Sequence, residues 1–318
     1  MWALYMTTVL STTGTIFFII AVGYLAVDRK VLSRNALQIL GKYVVNLALP
    51  ALIFRALSRR GLSEISNIGY LGGYLLGSMT VLMFGYFVSR TLWKASPISS
   101  TFNAAGMVCA NSGFVGYPLL FMVLPSIAPT ALALNMVVEN LIIIPLLLIL
   151  VERANAPTIS GRSLAQLIFN RISTNPIVLA MLAVIIVAVV DLPIPTFASN
   201  GIDLIAQSSI AVSLFVIGGT VAGISIKFFG TQVFGVVMGK LVFLPISVWL
   251  GFNIMALVGA GVDDPDLQKA AIIIAATPAM SIYPVLAQQY RQEQQAATAM
   301  LLMTVMSFVT ISGLLFLL

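Results

Sequence analysis

From Thr7 to Val27 the chain runs without a single charge, and it then meets Asp28-Arg29-Lys30. Crossing the roughly 30 Å hydrocarbon core of a bilayer takes about 20 apolar residues in a helix. Stretches of that kind recur near 35 to 57, 68 to 92, 98 to 124, 129 to 151, 174 to 191, 201 to 223, 229 to 258, 267 to 290 and 294 to 318. Inside a bilayer every backbone N–H and C=O must be paired by protein, so each span is expected to be a helix. The expected class is an all-α polytopic membrane protein with ten transmembrane helices. Composition agrees: 8% of residues are charged and 60% hydrophobic, against about 25% charged in soluble domains. The first apolar run is too long for a secretory leader and has its basic residues on the far side, so it reads as a span with its N-terminus outside.

The net charge of +6 does not point to nucleic acid, because the cations lie between apolar runs and build no long patch. One set of loops carries Arg29, Lys30, Arg34, Arg90, Lys94, Arg153, Arg162, Arg171, Lys227 and Arg291; the other carries Arg55, Arg59, Arg60 and Lys269. Ten against four places the first set in the cytoplasm. Both termini of this multi-pass chain then face outward from the cell (inner) membrane. With no His and one Cys, Cys109, neither a disulfide framework nor a His/Cys metal centre can form within one chain, and no cofactor is expected. The chain holds no HExxH, no GxxxxGK[ST] and no His-based triad, which argues against an enzyme.

Two spans are interrupted where a helix should continue. Span four contains ANSGFVGYP, residues 110 to 118, and span nine contains TPAMSIYP, residues 277 to 284. A shift of 166 residues lays AAGMVCANSGFVGYPLL over AAIIIAATPAMSIYPVL, with Tyr117-Pro118 on Tyr283-Pro284. The polar connection from Glu152 to Ser173 divides the ten spans into two fives. Because five is odd, the second set enters the membrane in the opposite sense, so the repeat is inverted. The expected units are residues 1–152, a cytoplasmic linker 153–173, and residues 174–318. Broken helices paired across an inverted repeat mark the central site of many transporters; the plainer reading is two Pro kinks used for packing.

Where each half-helix restarts, near Gly116, Pro118 and Pro284, free N–H groups and the positive end of the helix dipole favour an anion. Asn111, Ser112, Gly113, Thr277, Pro278 and Ser281 are the candidate binding residues, with Asn46 on span two as a wall facing them. Glu139, beside Asn140 in span five, and Lys240 in span eight both fall near the midplane. Charges at that depth face a cavity or each other, so they are expected to form a structural pair, to contact substrate, or to couple a proton. Lys42 lies shallower and is expected to snorkel to the interface.

Taken together, ANSGFVGYPLL, NLALPALIF from Asn46, NPIVLAMLAVII after Asn175, SLFVIGGTVAG from Ser213, KLVFLPI from Lys240 and ATPAMSIYPVLAQQY resemble the auxin efflux carrier family, in order along nearly the whole chain. The resemblance implies a fold similar to the bile-acid sodium symporters. Spans 1, 2, 6 and 7 would form a scaffold, and spans 3–5 with 8–10 a mobile transport domain whose crossed broken helices, spans 4 and 9, hold the substrate. It implies secondary, elevator-type transport of a small organic anion, a mono- or dicarboxylate such as malonate or an auxin-like acid. It also implies a homodimer through the scaffold among membrane lipid, with H+ or Na+ as candidate coupling ions. Asn111 matches the family's crossover Asn. No Asn stands between Thr277 and Pro284, where plant carriers often have a second one, which weighs against aromatic-anion recognition. The alternative function on the same fold is an ion-coupled cation or proton exchanger, or a channel. An exchanger would more naturally place carboxylates inside the breaks, and neither break holds one.

Overall fold

The computed structural model describes residues 2–60, 67–155, 161–222, 230–280 and 283–317, with the backbone alone for 2–13, 59–60 and 285. The expected Ser281 and Lys227 therefore lie outside the described residues. Helices in chain order are α1 (Trp2–Asp28), α2 (Arg34–Tyr43), α3 (Leu49–Arg60), α4 (Ile68–Thr91), α5 (Pro97–Val108), α6 (Tyr117–Val123), α7 (Ala128–Val138) and α8 (Ile144–Asn155). They continue as α9 (Gly161–Ser173), α10 (Pro176–Val190), α11 (Thr196–Val221), α12 (Thr231–Met238), α13 (Leu244–Leu257), α14 (Pro265–Ala275), α15 (Tyr283–Gln288) and α16 (Glu293–Leu317).

Helix starts follow local chemistry. Ser96, Asn175 and Asp264 cap α5, α10 and α14 by accepting an N–H of the first turn, and each is followed by a Pro whose missing donor costs nothing there. Asn67 caps α4 in the same way through the Tyr70 N–H, 2.8 Å away. Such caps contribute about 1 kcal/mol each.

Among the described residues, six continuous helices are long and apolar enough to cross a membrane: Arg34–Ser58, Ile68–Thr91, Ala128–Asn155, Thr196–Val221, Thr231–Leu257 and Glu293–Leu317. A seventh arises if α9 and α10, bent by 65° at their junction, count as one. The protein is thus a multi-pass all-helical membrane protein. The count falls short of ten partly because the fourth and ninth apolar runs are broken into α5 with α6 and α14 with α15, each piece too short to cross. The polar connection after Glu152 also differs from a plain linker. Leu164, Leu167, Ile168 and Ile172 recur at helical spacing, and that stretch folds as α9 with Leu164 buried.

Packing separates into two groups. In one, α1 lies along α11, and α3 packs on both α10 and α11; in the other, α4 packs on α5 and α13, and α16 on α12 and α15. The tightest approaches depend on glycine. A Cβ on Gly218 of α11 would strike the Ile20 carbonyl of α1, and one on Gly251 of α13 would strike the Gly73 carbonyl of α4. In lipid, where apolar burial drives helices together weakly, such backbone approach is a main source of association. Gly218→Val or Gly251→Val is expected to destabilise the protein by about 1–3 kcal/mol. This is read as a lower apparent melting temperature in detergent. Gly201→Val, also in α11 but with nothing within 4 Å of its added Cβ, should leave that temperature unchanged.

Candidate functional site

Four heptads in the chain end in proline: VVNLALP (44–50), SGFVGYP (112–118), ENLIIIP (139–145) and GKLVFLP (239–245). Proline offers no N–H and its ring clashes with the carbonyl four residues back. In each heptad the helix responds by widening into a π turn, at Val44–Ala48, Ser112–Gly116, Glu139–Ile143 and Gly239–Phe243. The residue before each proline bonds five residues back, Leu49 to Val44, Tyr117 to Ser112, Ile144 to Glu139 and Leu244 to Gly239. Such turns often mark functional positions. Here they carry Asn46, Ser112, Glu139, Asn140 and Lys240, five of the polar residues singled out inside the spans.

The two breaks meet. Ala110 and Ala279 form an antiparallel bridge. The Asn111 N–H donates to the Pro278 carbonyl at 3.0 Å and the Met280 N–H to the Cys109 carbonyl at 3.4 Å. Thr277 reinforces the crossing, its Oγ1 accepting the Asn111 N–H at 3.2 Å and donating to the Ile274 carbonyl at 2.7 Å. The paired Tyr-Pro residues then restart the helices, with Pro118 and Pro284 second in α6 and α15. Each tyrosine ties the restart to a neighbour: the Tyr117 hydroxyl lies 3.5 Å from Arg55 Nη2, and the Tyr283 hydroxyl donates to the Phe102 carbonyl at 3.0 Å. Arg55 in turn pairs with Asp203 at 3.9 Å, so this cation has a specific partner.

The two intramembrane charges complete the breaks. Glu139 Oε1 accepts the Ala110 N–H at 3.1 Å, and Oε2 accepts the Ser112 hydroxyl at 2.9 Å. Asn135 Nδ2 donates to Ser112 Oγ at 2.8 Å behind it. Lys240 Nζ donates to the carbonyl of Ala275, the last residue of α14, at 2.6 Å. The carboxylate thus meets the amide side of one break and the ammonium the carbonyl end of the other, each matching the local helix dipole. No ion pair within 4.0 Å joins Glu139 to Lys240. Each charge makes its own contact with a backbone group. The N–H groups of Ala110, Asn111, Phe114, Val115 and Gly116 are engaged within the protein.

A cavity of about 320 Å³ opens beside the crossing, lined by Asn111, Ser112 and Gly113 from the break, Glu139 and Asn140 from the π turn, and the α9–α10 bend. At about 30 Å³ per water it has room for roughly ten. Asn111 is 3% exposed, and its Nδ2 has no hydrogen-bond partner. At Gly113 an added Cβ would lie 2.6 Å from Leu49 Cδ1, so glycine keeps this wall thin. Thr277, Pro278 and Lys240 stay behind the crossing and do not line the cavity, nor does Asn46, which is exposed and donates to the Lys42 carbonyl of its own helix at 2.8 Å. Val45 and Leu49 line it from that helix instead. Sequence reading missed Arg171 and Asn175, which form the opposite wall. Asn175 Nδ2 donates to Asn140 Oδ1 at 2.9 Å, linking the bend to the π turn. The amphipathic spacing of α9 and the Asn-Pro start of α10 were the available signals.

Sequence comparison finds related proteins over most of the chain. A family model described as "Membrane transport protein" matches residues 8–315. A Rhizobium meliloti protein named "Putative malonate transporter" is 26% identical over 95% of this chain and 93% of its own length. An "Uncharacterized transporter" of Escherichia coli is 26% identical over 94% of both chains. The mouse "Lysosomal cholesterol signaling protein" is 24% identical over 89% of this chain, which spans only 34% of that relative's length.

The last carbonyls of a helix have no partner within it, and Lys240 supplies one to Ala275. Lys240→Met, which keeps the side-chain bulk, should therefore lower stability by about 1–3 kcal/mol, the cost of a buried unpaired acceptor. Thermal unfolding in detergent checks this; an unchanged melting temperature would mean that the contact contributes nothing.

Proposed function

Because the chain belongs to the membrane transport protein family, we propose that it is a secondary carrier for a small organic anion, a mono- or dicarboxylate of the malonate kind. The family is one of transporters, and the protein is not an enzyme. The observation that carries the reading is the cavity beside the crossing, where the buried Asn111 amide keeps a donor unpaired and Arg171 stands in the opposite wall. A buried unpaired donor is costly unless something binds it, and the anion's oxygens would supply the acceptor. The name of the Rhizobium relative suggests malonate as the first compound to test.

Several features support the finer architecture. Two chain segments related by an inverted repeat run antiparallel where they cross, and the Ala110–Ala279 bridge is antiparallel. On this reading α1 is the first span and each broken run one span, which brings the total to ten. The packing group of α1, α3, α10 and α11 corresponds to a scaffold of spans 1, 2, 6 and 7, and the group around α4, α5, α12, α13, α15 and α16 to a transport domain. Elevator motion would slide the second group along the first and break the Asn140–Asn175 contact. Dimerisation would use the outer face of the scaffold. Thr277 and Pro278 would act by holding the crossing, not by touching the solute.

The positive-inside pattern orients both termini outward from the cell membrane and places Arg171 at a cytoplasmic opening. With Cys109 replaced, a cysteine at Arg162 should react with impermeant thiol reagents only from the cytoplasmic side, and one placed before Trp2 only from outside. The opposite labelling would reverse the orientation.

Asn111→Ala should weaken malonate binding by about 1.5–3 kcal/mol, the range for a hydrogen bond to a charged partner, and should also cost about 1 kcal/mol of stability, because the Asn111 side chain caps the Phe114 N–H. Isothermal titration of the purified protein decides it, and unchanged affinity would remove the crossing from the binding site. Saturable malonate flux in proteoliposomes separates a carrier from a channel, whose flux rises nearly linearly with concentration.

A further inference from the structure

Glu139 is a peculiar wall for an anion site. Its side chain is 2% exposed, it lines the same cavity as Asn111 and Arg171, and its carboxylate accepts from two neutral donors, the Ala110 N–H and the Ser112 hydroxyl. Among the described residues no cation lies within 4.0 Å of it. The other titratable groups facing it are Tyr70 and Tyr74 of α4, Cys109 at the break, and Lys240 of the Gly239–Phe243 turn, with Arg171 across the cavity. Lys240 is held on the Ala275 carbonyl behind the crossing.

An anion entering this cavity brings like charge toward a buried carboxylate in a medium of low dielectric, where repulsion is much stronger than in water. Arg171 and the Asn111 amide can offset part of that repulsion. The remainder is relieved if Glu139 takes up a proton, which also turns one of its oxygens into a donor that can face the solute. The geometry points to anion-linked protonation of Glu139, so that the carrier binds its solute together with a proton. No covalent step is involved: one proton passes from bulk water to a Glu139 oxygen when the anion binds and returns when it leaves.

Linkage makes the effect reciprocal. If the anion favours protonated Glu139, then protonation favours the anion. Affinity is then highest at acid pH and falls as pH rises through the titration of Glu139, by up to about tenfold per pH unit for one linked proton. In a membrane the same coupling would let a proton gradient drive the solute, and the inference rests on the anion-carrier reading above.

The test uses the purified full chain with potassium malonate as the probe, at pH 7 and above, where malonate in solution is almost fully ionised. Titration calorimetry in buffers of different ionisation heat counts the protons taken up per malonate bound. The expected result is about one proton per malonate in the wild type, with Glu139→Gln abolishing the uptake and flattening the pH dependence. Binding without proton uptake overturns the proposal and leaves the anion-carrier reading intact. Uptake that persists in Glu139→Gln overturns the assignment to Glu139. If malonate and other small carboxylates fail to bind at any pH, the carrier reading falls and this proposal with it. Should Glu139→Gln not fold, infrared difference spectra of the wild type with ¹³C-labelled malonate give a second readout. A new protein carboxylic-acid band on binding supports the proposal, and its absence overturns it.

Discussion

Two interrupted helices can share the middle of a membrane only if each supplies the backbone partners that the other has lost. The short antiparallel contact between residues 109–111 and 278–280 does this. Unpaired groups in hydrocarbon cost several kcal/mol each, so neither break is tenable without the other. Thr277, 166 residues from Asn111 in sequence, closes the arrangement through one hydroxyl that both accepts and donates.

The charges follow from the same constraint. A break leaves amides on one side and carbonyls on the other, and Glu139 and Lys240 each engage one kind. Both are deeply buried, at 2% and 0% exposure, where a lone charge would be prohibitive without such partners. The two are not in contact, and each engages its own backbone group. Lys240 works behind the crossing as a structural cap. Glu139 does similar work for Ala110 while facing the cavity.

Flexibility is built where function needs it. The cavity lies between the two packing groups, and one of its walls, the α9–α10 bend, is tied to the π turn at Glu139–Ile143 by the Asn140–Asn175 bond. A single neutral hydrogen bond contributes about 0.5–1.5 kcal/mol net, so this tie is a weak one. The glycine-mediated backbone contacts, by contrast, lie within each group: α1 against α11 in one, α4 against α13 in the other. The closest backbone approaches thus lie within the groups.

The sequence alone determined that this chain lives in a membrane, because apolar runs of that length admit little else. It also determined where the helices break, because proline's missing N–H and its clash four residues back are local properties. Asn111, Ser112, Glu139 and Lys240 were legible for a related reason: polar residues deep inside apolar spans stand out whatever they touch. Contacts were not legible. Depth along two helices brought Glu139 and Lys240 to one level, yet lateral position sends them to different backbone groups. Arg171, read as one loop cation among ten, stands in the cavity wall because a 65° bend turns its helix back toward the crossing. Which amides are spent within the protein and which donor stays free depends on segments far apart in sequence meeting in space, and only the tertiary structure decides that.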